Sequence, residues 1–247
     1  VDLESLDVDE NVGLIAVSRP TNPSGNVLTD AELAQLDRIA RERGVPLFVD
    51  NAYGAPFPNI LFEPTQLTWN ENIILGMSLS KIGLPGVRTG IVVASEEIVR
   101  KISSMNSVLS LANGNPGQDI VEPLLRSGEI DTVVSEHIFP FYRQRAQEAV
   151  GWLSDSFAGS VPWSVHKLEG SIFLWLWLKD LPITSKQLYQ RLKEEQVLVV
   201  PGEYFFFGGG EPFAANHHCL RINYAQEESV VREGLKIIAR VANRLYS

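Results

Sequence analysis

Lys81 closes the run Ser78-Leu79-Ser80-Lys81, directly after the apolar stretch Ile73 to Met77. A lysine amine held there can condense with a carbonyl and carry it as a Schiff base. Moving an amino group by such chemistry needs three more parts: an acid to face a protonated ring nitrogen, donors for a phosphate, and a fixed cation for a substrate carboxylate. The chain offers a candidate for each. Asp50 ends the apolar run Val45 to Val49, the hydroxyls of Ser78 and Ser80 precede Arg88, and Arg221 lies in Leu220-Arg221-Ile222-Asn223-Tyr224.

The elements that must position these groups can be read from pattern. Val12 to Ser18 is expected to be a strand running into the turn formers Arg19-Pro20-Thr21-Asn22-Pro23-Ser24-Gly25. Thr29 and Glu32 form a capping box, and Leu33, Leu36 and Ile39 follow at helical spacing until Gly44. Val45 to Val49 is apolar at consecutive positions, as in a parallel strand covered on both faces, and Gly90 to Ala94 is a further strand. Open parallel sheets bind ligands beyond the carboxyl ends of their strands, so Asn22, Asp50, Ser78 and Lys81 are expected to line one crevice.

After Ile130 a helical stretch runs through Val150, with a kink expected at Pro140. A domain boundary is placed there, giving residues 1–138 and 139–247. The second part reads as strand Ser171 to Leu178, a helix capped by Thr184 with Gln187, strands Val197 to Val200 and Leu220 to Ala225, and a final helix with Val231, Ile238, Val241 and Leu245 inward. The fold class is therefore α/β, a mainly parallel sheet with helices on both faces, followed by a small α+β domain.

Composition narrows the function further. The 247 residues, 45% of them hydrophobic, suffice for a large core, and no apolar run approaches the roughly 20 residues that span a bilayer. A formal charge of −9 argues against a nucleic-acid partner. Cys219 is the single cysteine, which suits a reducing cytoplasm. The chain opens on Val1 rather than Met and its first ten residues are acidic, unlike a signal peptide.

Ser78-Leu79-Ser80-Lys81, Gly83-Leu84-Pro85-Gly86 and Arg88-Thr89-Gly90, with Asn22-Pro23-Ser24-Gly25 and Asp50-Asn51-Ala52-Tyr53, resemble the class I and II pyridoxal-phosphate-dependent aminotransferases of fold type I. The resemblance implies pyridoxal 5'-phosphate as cofactor, with Lys81 as its Schiff-base lysine and the proton carrier at the substrate Cα. It implies that Asp50 pairs with the ring nitrogen, that Asn22 and Tyr53 bond the ring oxygen, and that Ser78, Ser80 and Arg88 hold the phosphate. Arg221 would clamp the substrate α-carboxylate. A cis peptide is expected at Asn22-Pro23 and a homodimer with sites at its interface.

The runs Ser18 to Asn22, Asp50 to Gly54 and Ser80 to Gly86 resemble the valine–pyruvate branch of that family, which implies valine or alanine and the 2-oxo acids pyruvate and 3-methyl-2-oxobutanoate as substrates. Two departures stand out. Six residues separate Lys81 from Arg88, one fewer than most of the family shows, so the intervening turn is expected to be tight. The family's glycine-rich phosphate-binding helix start and cofactor-stacking ring lie upstream of the Asn-Pro-x-Gly loop, and neither precedes Val12, so the chain is expected to be a carboxyl-terminal portion of a longer protein, covering the second half of the large domain and most of the small one.

Rival readings stay open at this level: a β-lyase or cyclopropane-forming synthase on the same scaffold, or an effector domain of a transcription regulator that binds the cofactor without turnover. No metal is expected, because consecutive His217, His218 and Cys219 cannot readily converge on one ion; all three are expected in a loop. Phe173, Trp175 and Trp177 read as a strand buried on both faces. Tyr204 to Phe207, behind Pro201-Gly202, reads as a pocket wall in which Tyr204 meets the substrate side chain. Asn113 and Asn115 lie where the family sends a loop across its dimer interface, or they form a plain turn.

Overall fold

In the computed structural model, which describes residues 3, 6–157, 159, 161–207 and 217–247, two units divide the chain: Val1–Thr21 with Val27–Pro140, and Asn22–Asn26 with Phe141–Ser247. The loop Asn22–Asn26 goes with the second unit although its sequence neighbours go with the first.

The first unit is built on a sheet of β1 (Ile15–Ser18), β2 (Leu47–Asp50), β3 (Ile73–Ser78) and β4 (Gly90–Val93), in that order. The first three strands are parallel and β4 runs antiparallel to β3. Helix α1 (Asp30–Glu42) crosses from β1 to β2, and its start is fixed by Thr29, whose side chain accepts from Glu32 N–H while Glu32 reaches back. Leu33, Leu36 and Ala40 of α1 pack on Ile15, Leu47, Val49, Ile73 and Leu75 in one buried cluster. Strand β2 starts two residues later than expected, because Val45 N–H still bonds the Ala40 carbonyl and Pro46 has no N–H to give a ladder.

Helices α2 (Glu96–Ser110), α3 (Pro116–Ser127) and α4 (Glu129–Val133) follow. Phe57, Leu79, Val121, Ile130 and Val134 make a second cluster. Where the sequence suggests a kink, the chain widens into a π turn over Val134–Ile138 and continues as α5 (Phe139–Ser156). Pro140 then sits in the first turn of α5, and the π turn absorbs the bond and the space that a proline denies.

The second unit carries a sheet in the order β5 (Trp163–Val165), β6 (Phe173–Leu178), β8 (Cys219–Asn223) and β7 (Val200–Pro201), all antiparallel. Helix α6 (Ser185–Glu194) has the expected capping box of Thr184 and Gln187. The last helix, α7 (Glu228–Tyr246), buries Val231, Leu235, Ile238, Val241 and Ala242. Strand β7 is shorter than the expected Val197 to Val200, because Val197 N–H still bonds Leu192 at the end of α6 and Leu198 is 75% exposed. Among the described residues no helix is long and apolar enough to cross a membrane.

Candidate functional site

In the first unit the register sets Ser18 beside Asp50 and Asp50 beside Gly76, so β1 and β2 end level with one another and β3 runs on past them. Ser78 is two residues further along β3 and pairs with Gly90, which brings the start of β4 to the same edge. Asp50, Ser78, Lys81 and Arg88 therefore gather at the carboxyl edge of the sheet, where such sheets take ligands.

Ser78 caps the 3-10 turn Leu79–Ile82 by accepting from Ser80 N–H at 3.2 Å. That turn points Lys81 at Tyr53: the amine lies 5.4 Å from the ring centroid. Tyr53 itself is buried in the turn after β2, where its carbonyl accepts from Ile60 N–H. Asp50 Oδ1 accepts from Ala52 N–H at 3.1 Å. Gly83 at φ +100° and a second 3-10 turn, Pro85–Val87, make the short span to Arg88, which sits at φ +49°. The tight turn foreseen from the spacing is present. A Cβ on Gly117 would meet Thr89 Oγ1 at 2.0 Å, so glycine lets α3 approach this loop.

Three charges at this edge lack an opposite charge among the described residues. Lys81 has only the Tyr53 ring, Asp50 only the Ala52 amide, and Arg88 only the Pro85 carbonyl at 3.3 Å. Nearby Arg19 is the contrast: buried, it pairs with Asp30 at 2.5 Å and bonds the Gln66 carbonyl. Sequence reading did not single out this anchor of the loop after β1.

The second unit holds Asn22, Arg221 and Tyr204. Arg221 Nη1 donates to Asn22 Oδ1 at 2.8 Å. The guanidinium lies over two rings, 4.2 Å from the Phe173 centroid and 4.9 Å from that of Phe205. Trp175 is its register partner on β6 and meets Phe205 edge-on at 5.6 Å. The expected cis peptide at Asn22-Pro23 is found. Gly25, at φ +76°, lets that loop dock: a Cβ there would stand 3.0 Å from the Gly170 carbonyl oxygen.

Of the ring cluster it is Phe205 that flanks Arg221, while the half-exposed Tyr204 ring lies under Lys186 at 5.0 Å. Phe173 and Trp175, taken as core alone, also line the arginine. Their alternation shows a shared face, but the pairing with Arg221 is a register that sequence does not reveal. His217 stands 3.1 Å from Glu203. Cys219 belongs to β8 rather than to a loop, and burial pushes its thiol up to about 12. Iodoacetamide at pH 8 is therefore expected to spare Cys219 in the folded protein and alkylate it in urea, as read by mass. Rapid alkylation of the folded protein would contradict that burial. Asn115 precedes α3 and Asn113 accepts from Asn106 at 3.1 Å.

The family described as aminotransferase class I and II matches residues 1–238. The valine–pyruvate aminotransferase of Escherichia coli (strain K12) is 47% identical over 247 residues, all of this chain and 59% of that protein. The 2-aminoadipate transaminase of Thermus thermophilus is 28% identical over 233 residues, 91% of this chain and 55% of that protein. The crystal structure of valine–pyruvate aminotransferase from Salmonella typhimurium LT2 superposes with a TM-score of 0.95 at 46% identity, over 100% of this chain and 63% of that one. The chain thus spans less than two thirds of the length of these relatives.

Proposed function

The chain belongs to the class I and II aminotransferases, and on that footing we propose that its protein moves an amino group reversibly between valine or alanine and a 2-oxo acid, pyruvate or 3-methyl-2-oxobutanoate, with pyridoxal 5'-phosphate as cofactor. The observation that carries the reading is the set of unmatched charges at one sheet edge. Lys81, Asp50 and Arg88 have no counter-charge among the described residues, and a molecule with an aldehyde, a basic ring nitrogen and a phosphate matches all three. When bound, this cofactor supplies an electrophilic carbon for the amino group and a ring that draws electrons from the reacting bonds.

The chain's own groups do the rest. The Asp50 carboxylate holds a proton on the ring nitrogen. The Lys81 amine would hold the cofactor and, once free of it, would move a proton from the substrate Cα to the cofactor carbon that keeps the amino group. Tyr53 O–H donates to the ring oxygen. Asn22, whose Oδ1 accepts from Arg221, would also bond that oxygen, as the family resemblance implies. Ser78, Ser80 and Arg88 donate to the phosphate, for which a guanidinium fork can give two bonds at once. Arg221 grips the substrate carboxylate and thereby orients the Cα–H bond. The valine preference is supported by the relative that is 47% identical. A homodimer would cover apolar side chains exposed along α2 and just beyond it, Met105, Val108, Leu109 and Leu111. The cytoplasm suits a single buried thiol.

The test is to give the protein pyridoxal phosphate, L-valine and pyruvate and to quantify L-alanine and 3-methyl-2-oxobutanoate. Equal amounts of the two support the reading. A 2-oxo acid released from an amino acid without any acceptor would replace it with a lyase. Arg221→Lys keeps the charge but loses the fork, so KM for both valine and pyruvate is expected to rise on the order of 10- to 100-fold. An unchanged KM would remove Arg221 from the carboxylate site.

A further inference from the structure

Glu203 is a carboxylate with little exposure, at 9% for its side chain, in the 3-10 turn Gly202–Phe205. Three groups converge on it. Lys186 Nζ lies 3.1 Å from Oε2, His217 Nδ1 lies 3.1 Å from Oε1, and the buried Ser185 hydroxyl donates to Oε1 at 3.4 Å. His217 Nδ1 stands close to the carboxylate but off the line of a good hydrogen bond. Burial works against the charge, yet the His217 and Lys186 contacts hold the Glu203 carboxyl below its ordinary value. Ser185 and Lys186 open α6. The turn is therefore tied to the first turn of a helix capped by its own box, and that turn ends in Phe205, whose ring flanks Arg221 and abuts Trp175. The carboxylate thus stands two residues from the ring that flanks the Arg221 guanidinium.

We propose that Glu203 is a positioning residue for substrate binding: its ties to Lys186, Ser185 and His217 set the turn that lays Phe205 against the Arg221 guanidinium. Between Phe205 and Phe173 the guanidinium keeps its plane, while Asn22 occupies one of its N–H groups. The guanidinium is thereby held in a fixed orientation, and a carboxylate that binds it gives up less freedom. Loss of the tie frees the ring and then the guanidinium, which weakens ground-state and transition-state binding alike and so appears in KM rather than kcat.

This inference rests on the assignment of Arg221 to the substrate carboxylate. The experiment measures kcat and KM for L-valine and pyruvate in the wild-type protein, Glu203→Gln, Phe205→Leu, the double variant and Arg221→Lys. Glu203→Gln and Phe205→Leu are each expected to raise KM roughly 3- to 10-fold with kcat within about twofold, and the double variant to be no worse than Phe205→Leu, because the two act through one ring. Effects that multiply in the double variant, or a KM unchanged in Glu203→Gln while Arg221→Lys raises it, overturn the positioning role and leave the clamp standing. A KM that Arg221→Lys leaves untouched overturns both, and locates the failure in the clamp. Should Glu203→Gln not fold, Phe205→Leu decides alone: a KM equal to wild type then ends the proposal.

Discussion

Lys81→Ala is expected to remove amino transfer almost completely, lowering the rate by at least about 10³- to 10⁴-fold, and to remove with it the part of the visible absorbance that depends on a lysine-held cofactor. The size follows from one amine having two duties. A positioned base that moves a proton contributes roughly 10²- to 10⁴-fold by itself, and in the proposed function the same amine also carries the cofactor, so the variant would lose both. The side chain is partly exposed beside Tyr53 and has no ion pair among the described residues, hence its truncation leaves the fold intact. Spectra of the wild-type and variant proteins with pyridoxal phosphate, before and after L-valine, read the result. A wild-type band that valine converts, and that Lys81→Ala lacks, is the expected outcome. A variant with the wild-type band and rate would end the reading of Lys81, and a wild-type band that valine leaves untouched would keep the cofactor and end the preferred substrate.

Much of this arrangement is legible in the sequence, for physical reasons that differ between the parts. Strand ends and polar residues coincided at Asp50 and Ser78, and a parallel sheet converts that coincidence into proximity. The helix starts at Thr29 and Thr184 were legible because a capping box is a local pattern that fixes its own geometry. The tight turn before Arg88 followed from counting residues, and glycine at position 83 supplies the positive φ it needs.

What sequence did not reveal depends on register or on contacts distant along the chain. The pairing of Trp175 with Arg221 is a property of how β6 lies on β8, and no pattern within either strand states it. Phe205 rather than Tyr204 reaches Arg221 because the 3-10 turn orients neighbouring rings differently; the run of aromatic residues marks the wall without choosing its working face. The bond between Asn22 and Arg221 joins residues 199 apart in sequence within the second unit, and no local pattern states it. Nothing local marks Glu203, because its partners Ser185, Lys186 and His217 come from other segments of the chain.

Asp50→Asn is expected to lower kcat by roughly 10²- to 10⁴-fold while KM changes by less than a few-fold, and it separates charge from shape more cleanly than any other substitution at this edge. Asp50 is the last residue of β2, and its backbone carbonyl accepts from Arg19 N–H at 2.9 Å, a bond that asparagine keeps. Its Oδ1 accepts from Ala52 N–H at 3.1 Å, which an amide oxygen can also do. The turn after β2, and Tyr53 within it, therefore stays in place, and the melting temperature is expected to move little. The other carboxylate oxygen has no hydrogen-bond partner among the described residues, and there the substitution replaces a negative acceptor with an NH₂ donor. A donor facing the ring nitrogen favours its unprotonated form, so the ring loses the positive charge that draws electrons from Cα. The proposed binding of the carboxylate by Arg221 would be untouched, which is why the loss is expected to fall on kcat. Wild-type kcat in Asp50→Asn would show that the carboxylate does not face the reacting ring, whereas a fall in kcat with an unchanged melting temperature would assign the effect to its charge.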